Sequence, residues 1–252
     1  MQFQVSDAII LRHIDYGEAD RVVTFFTPQQ GRCKGFARGA RNSRKRFGTA
    51  LEPFAQVRVH WSPAKGSGLP PLREVELIDL RVGLRSDLLS LALAGYGCEL
   101  VEELVGDDPG HPDIYQLLRA FLDHLATAGP SPTARLLFEL RLLHQIGYVP
   151  HLLHCAECFG PLADEVAFDP HRGGSLCGGC APAAGGVRLG LTTVGSLARL
   201  LRSPPEQFAG INLGERTLAE GGAALATALN IHLSRPLRSL RFLREISRAF
   251  EG

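Results

Sequence analysis

Lysine is scarce in this 252-residue sequence: Lys34, Lys45 and Lys65 are the only three, and none follows a glycine. The G-x-x-x-x-G-K loop that cradles nucleotide phosphates is therefore missing, which argues against a P-loop nucleotide hydrolase. Neither G-x-S-x-G nor H-E-x-x-H occurs, so the hydrolase nucleophile elbow and the zinc-protease helix are missing too. No apolar run approaches the about 20 residues that a membrane-spanning helix needs. Near the start, the apolar run 8–11 is cut by Arg12 and His13, too short for the apolar region of a signal peptide. A cytoplasmic protein with no membrane partner and no catalytic residues is expected. Six cysteines without an export signal then suit a reducing compartment, where thiols serve metals or chemistry more often than disulfides.

Charge is present in near balance, with a formal net charge of +1, but it is unevenly distributed. Residues 32–46 hold Arg32, Lys34, Arg38, Arg41, Arg44, Lys45 and Arg46 and no acid, whereas residues 87–126 hold Asp87, Glu99, Glu102, Glu103, Asp107, Asp108, Asp113 and Asp123 against Arg119 alone. The first segment should attract polyanions and the second repel them. Arginine dominates the basic set, and its planar guanidinium grips phosphate with two parallel bonds and stacks on bases. The pairs Glu102/Glu103 and Asp107/Asp108 read as solvent-facing, and the acidic stretch as a surface that keeps polyanions away and could meet a protein partner.

The first 80 or so residues show short period-two runs broken by turn residues, with strands expected at 5–14, 21–27, 32–38, 51–61 and 72–80. Five short strands in this length suggest an oligonucleotide-binding (OB-fold) β-barrel. From Ser86 the period becomes helical. Ser131, Pro132 and Gly147 bracket one helix as cap, first position and stop. Later helices are expected at 192–202, 217–233 and 239–250, the middle one weakened by Gly221 and Gly222. The expected class is α+β multidomain: an OB-fold domain over 1–82, then an α-helical domain over 83–252, interrupted at 151–185 by a cysteine module.

Cys155 and Cys158, then Cys177 and Cys180, form two C-x-x-C pairs at the spacing of a four-cysteine zinc site. Four thiolates leave a zinc ion no open position, so this metal would stabilise a fold and catalyse nothing. A redox dithiol needs one pair, normally beside a βαβ pattern that is missing here. His151, His154 and His171 read as neighbours of the site, and Cys33 and Cys98 as small buried apolar residues.

In the run 32–38, period two sends Arg32, Lys34, Phe36 and Arg38 outward and Cys33, Gly35 and Ala37 into a cramped interior. Arginines with an aromatic ring suit single-stranded nucleic acid. Arg41, Arg44, Lys45 and Arg46 extend this set on what reads as a mobile loop, 39–48. Around the last helix, Arg235, Arg238, Arg241, Arg244 and Arg248 fit solvated surface and phosphate contact equally well.

Asp15-Tyr16-Gly17-Glu18-Ala19-Asp20-Arg21, the following 22–27, Gly31, Gly39-Ala40-Arg41 and Leu51-Glu52-Pro53-Phe54 resemble the bacterial recombination mediator (RecO) family. The likeness continues in Phe138-Glu139, Leu142-Leu143, Gly147-Tyr148-Val149-Pro150 and Arg235-Pro236-Leu237-Arg238-Ser239. It implies a DNA-repair protein, not an enzyme, that binds single- and double-stranded DNA through its barrel and anneals complementary strands. With RecR it would help load recombinase onto DNA coated by single-strand-binding protein, close to the nucleoid. The resemblance further implies that the acidic, phenylalanine-ended tail of that coating protein binds the helical domain, and Arg135 best matches the basic position involved; an ordinary helix-surface salt bridge to Glu139 is the other reading. Some members of the family lack the cysteines. The competing classes are a zinc-containing nucleic-acid-processing enzyme, for example one acting on tRNA, and a pure interaction scaffold.

Overall fold

Period-two alternation over the first 80 residues becomes five antiparallel strands in the computed structural model, which describes residues 3–64, 66–105, 110–148, 151–163, 165–182 and 186–250, the side chains of 247–250 excepted. They are β1 (Gln4–Tyr16), β2 (Asp20–Thr27), β3 (Gly31–Ala37), β4 (Gln56–Trp61) and β5 (Leu72–Asp79), in sheet order β3-β2-β1-β4-β5. The two edges meet where the Phe36 N–H donates to the Pro70 carbonyl at 2.8 Å and Phe36 bridges Pro71 in parallel. This closes the sheet into the expected OB-fold barrel. Ala8, Ile10, Val23, Phe25, Ala37, Val57, Val59, Trp61 and Leu72 fill the interior. Gly35 is required there, because a Cβ at that position would lie 2.4 Å from the Leu72 side chain.

Two local expectations are corrected. The fourth strand begins at Gln56 rather than at 51, because Phe54 adopts a left-handed φ of 73° and breaks the extended run. That turn still pairs with β1, through Phe54 N–H to the Ile10 carbonyl and Ile10 N–H to the Ala55 carbonyl. The 39–48 segment is not a mobile loop: Phe47 is buried in the barrel core, and the Val75 N–H donates to the Arg46 carbonyl at 2.9 Å.

The helices are α1 (Leu88–Leu104), α2 (Pro112–Ala128), α3 (Pro132–Gln145), α4 (Leu191–Leu201), α5 (Glu215–His232) and α6 (Arg238–Phe250). Local signals set several ends. Asp87 accepts from the Ser90 N–H at the start of α1, and Ser131 caps α3 by accepting from the Ala134 N–H at 3.0 Å. Gly147, at φ 80°, stops α3, and the Tyr148 N–H then returns to the Leu143 carbonyl. No helix among the described residues is long and apolar enough to cross a membrane.

By contacts the chain forms two compact units, Met1–Gly129 with Leu237–Gly252, and Pro130–Pro236. In the first, α1 and α2 lie against the barrel and α6 packs on α1. Here the acidic stretch is spent on structure, which corrects its reading as an open face. Glu102 is buried and holds Arg12 through three contacts of 2.7–3.1 Å, and its carbonyl accepts from Arg32 at 2.8 Å. Glu103 is half-buried. Glu99 accepts from the N–H groups of Arg238 and Ser239 and from the Ser239 hydroxyl, capping α6. Asp123 pairs with Arg81, whose buried guanidinium also donates to the Phe54 carbonyl. Asp107 and Asp108 lie outside the described residues, as do the Arg248 side chain, Val149 and Pro150.

In the second unit, a three-stranded sheet absent from the sequence reading, β7 (Gly174–Leu176), β6 (Glu165–Asp169) and β8 (Val187–Gly190) in that order, accompanies α3–α5. Gly190 precedes α4 and has no side chain to cap it, so Glu220 of α5 reaches across: its carboxylate accepts from the Gly190 N–H, the Thr193 hydroxyl and Arg216. Led by the Thr193 bond, these donors outweigh burial and hold the Glu220 carboxyl at about 2, against an ordinary 4.5. A lowered folded pKa stabilises above the unfolded value and loses that contribution as pH falls through the folded one. Glu220→Gln should therefore cost up to about 3 kcal/mol at neutral pH. In urea unfolding series, its gap from wild type should persist down to about pH 4.5 and close toward pH 2.

Candidate metal centre and nucleic-acid interface

Each cysteine pair sits in a tight turn. In the first, the Cys155 N–H donates to the Gly160 carbonyl and the Phe159 N–H to the Cys155 carbonyl, both at 3.0 Å, with Phe159 at a left-handed φ of 56°. In the second, Cys180 and Ala181 both donate to the Cys177 carbonyl. The Ala156 N–H bonds to Ser175 of β7 at 2.8 Å, which brings the first turn against the strand that leads into Cys177.

All four sulfurs consequently lie within 4.8 Å of one another, and those of Cys158 and Cys177 are 3.7 Å apart. A zinc–thiolate tetrahedron with bonds of about 2.3 Å has sulfur–sulfur edges of about 3.8 Å, so the donor set fits. Burial opposes ionisation of Cys155, but N–H groups of Cys158, Cys177 and Glu157 aimed at its sulfur outweigh that and hold the thiol at about 6. The neighbouring sulfurs of Cys158, Cys177 and Cys155 push Cys180 up to about 12. Four thiols this close cannot all ionise unless a cation joins them. The cluster can hold one metal ion. His151 and His154 contact each other at 3.0 Å and pack against Phe159 outside the sulfur cluster, and the His171 N–H donates to Asp169 in a turn.

The basic residues fall into two groups. Lys34 on β3, Arg38 just past its end, and Arg44 and Lys45 on the tethered segment are exposed and make no side-chain bond among the described residues. The others have internal partners: Arg32 at Glu102, Arg41 at the Glu18 carbonyl, and Arg46 at the Arg38 carbonyl and 5.0 Å above the Phe47 ring. Phe36 is half-buried, edge-on to Tyr16. Sequence reasoning passed over Tyr16, although Arg12, Ile14 and Tyr16 alternate on β1 as the basic residues do on β3. Cys98 is buried and its thiol is pushed up to about 12, mainly by desolvation, whereas Cys33 is only half-buried against the barrel core.

Arg135 borders a cavity of ≈ 260 Å³ lined by Pro132, Leu136, Glu139, Leu218 and Gly222. Its guanidinium bonds Glu139 at 2.7 Å, and Glu139 is buried, so the pair forms one wall of the cavity rather than a solvated bridge. The glycines that weaken α5 have a use here. Gly221 lets α5 approach Leu136 and Leu197, and a Cβ on Gly222 would meet open space.

Comparison with known proteins matches the model for Recombination protein O N terminal to residues 1–81 and that for Recombination protein O C terminal to residues 85–241. The chain belongs to the recombination protein O family. The DNA repair protein RecO of Syntrophotalea carbinolica is 51% identical over 243 residues, covering 96% of this chain and 94% of the relative. That of Anaeromyxobacter dehalogenans strain 2CP-C is 42% identical over 248 residues, 97% of each, and that of Geobacter sulfurreducens 39% over 242 residues, 96% of this chain and 97% of the relative. This is a family of DNA-repair proteins and not of enzymes.

The residues that carry the recombination protein O likeness act here as clasps. Asp20 accepts from the Gly39 N–H at 2.7 Å, the Arg41 N–H donates to the Ala19 carbonyl, and Arg21 pairs with Asp15 and Glu52. Together they pin the basic segment to the β1–β2 turn.

Cys155→Ser and Cys177→Ser should each reduce bound metal from about one equivalent to nearly none and lower the melting temperature, since three remaining thiolates no longer close a structural site. Metal analysis and thermal unfolding of the full chain check this; a variant that keeps its metal and its melting temperature would contradict it.

Proposed function

We propose that this chain binds single- and double-stranded DNA through Lys34, Phe36, Arg38, Arg41, Arg44, Lys45 and Arg46, with Arg32 contributing as it ties β3 to α1, and that it anneals complementary strands. The observation that carries this reading is the display of Lys34, Arg38, Arg44 and Lys45 on a closed barrel with no side-chain partner among the described residues, so their charge is available to phosphate. Neutralising phosphates releases counterions and lowers the repulsion between two strands, so complementary bases meet without covalent chemistry. The DNA-binding part is residues 1–82, followed by the helical part 83–252 with its cysteine module at 151–185. The metal is one structural zinc ion on Cys155, Cys158, Cys177 and Cys180, since thiolate-only donors suit zinc and leave it no reactive position.

With RecR, the protein helps load recombinase onto DNA coated by single-strand-binding protein, acting in the cytoplasm at the nucleoid. The cavity beside Arg135 takes the acidic, apolar-ended tail of that coating protein, the guanidinium facing its charge and Leu136 and Leu218 its apolar end.

Arg38→Ala combined with Arg44→Ala and Lys45→Ala should abolish ATP-independent annealing and flatten the salt dependence of DNA affinity, because three phosphate contacts disappear. For wild type, a fourfold rise in salt should cost about tenfold or more in affinity. Fluorescence anisotropy across a salt series, with annealing followed in parallel, checks both; a flat wild-type response would contradict the interface.

A further inference from the structure

We propose that Tyr16, together with Ile14, Val22 and Phe36, forms a platform on the outer face of the barrel on which bases of single-stranded DNA stack. This rests on the DNA-binding reading above and adds to it residues and a mode of contact.

Strand register builds the platform. Ile14 pairs with Val22, and Val22 with Phe36, so three directly opposed residues form one row across β1, β2 and β3. Directly opposed residues share a face. Tyr16, two residues beyond Ile14, lies edge-on to Phe36 with ring centroids 5.7 Å apart and planes at 81°. An edge-on pair leaves one ring face of the tyrosine open.

The exposure of this row is unusual within its own sheet. Further along the same strands, Ile9 and Phe26 are completely buried, and α1 and α2 lie against β1 and β2. Tyr16 instead remains 60% exposed and Ile14 51%, with Val22 and Phe36 half-buried. A solvated apolar row costs free energy unless something covers it.

Charge identifies the occupant. Lys34 lies beside Phe36 on the same face of β3, and Arg38 follows at the strand end; both are exposed and have no side-chain partner among the described residues. Asp15 is engaged with Arg21 and Arg41 and Asp20 with the Gly39 N–H, and Glu18 lies exposed on the turn beyond Tyr16. Stacking rings flanked by free cations match a strand whose bases are unpaired and whose phosphates run alongside. A second copy of this chain would bring the same cations against these and be repelled.

The test compares an oligothymidylate with an abasic oligonucleotide of the same length, at one salt concentration, by anisotropy. Wild type should prefer the oligothymidylate by about tenfold, Tyr16→Ala should lose that preference while keeping its affinity for the abasic strand, and Tyr16→Phe should retain it. Equal wild-type binding of the two strands, or a preference that survives in Tyr16→Ala, overturns the platform and leaves phosphate-driven DNA binding standing. Failure of wild type to bind either strand overturns both readings. Should Tyr16→Ala not fold, photo-crosslinking of wild type to a bromodeoxyuridine-containing strand decides. Label on the tryptic peptides 13–21 or 35–38 supports the platform, and label confined to other peptides overturns it.

Discussion

Glu102 is the side chain on which the N-terminal unit depends. A carboxylate on a buried helix face would be prohibitive if unpaired, and here it is met by Nε and Nη2 along one edge of the Arg12 guanidinium, while the backbone carbonyl of Glu102 takes Arg32. β1 and β3 are thereby tied to the C-terminal turn of α1. That tie decides which half of the sheet's outer face the helices cover, leaving Ile14, Tyr16, Val22 and Phe36 in solvent. It also changes the meaning of the charge pattern. Arg32 and Glu102 come from segments that look, as sequence, like a free basic surface and a free acidic one, and in the fold Arg12 pairs with the Glu102 carboxylate while Arg32 is held at the Glu102 carbonyl.

Tethering rather than flexibility characterises the basic segment that remains. Phe47 anchors it in the core, Asp20 and the Ala19 carbonyl hold its start, and β5 takes the Arg46 carbonyl. Cations on a fixed backbone lose less entropy on meeting phosphate than cations on a loose one. The cysteine module is held locally in the same manner. The two turns present sulfur through their own backbone bonds, and β7 brings them together, so a metal held there would stabilise the unit that contains it.

How much of this could be read from sequence depends on the range of each signal. Ser131, Pro132 and Gly147 specify α3 within a single turn at each end, and the structure places the helix at Pro132–Gln145. The two C-x-x-C pairs were legible because each pair has a fixed spacing and a chemistry of its own. The solvent-facing reading of Glu102 failed because a helical period says which residues share a face, not what an arginine 90 positions earlier will do with it. The strand expected from 51 failed at Phe54, where a left-handed residue inside an apolar run carries no compositional mark. The small sheet of the cysteine module was missed because strands of three to five residues are too short to show a period.

The sequence by itself determined the family, the order of the five barrel strands and of the helices, the four cysteines that can hold a metal, and the alternation that sends Lys34 outward. These are encoded by spacings of two, three or four residues and are satisfied wherever the segment lies. Tertiary structure alone decided which charges remain free. Glu99 caps α6 from 140 positions away, Glu220 caps α4 from another helix, and Arg32 is withdrawn to Glu102. Each of these follows from the need to satisfy a buried or half-buried polar group, and which group is buried is known only once the chain has packed.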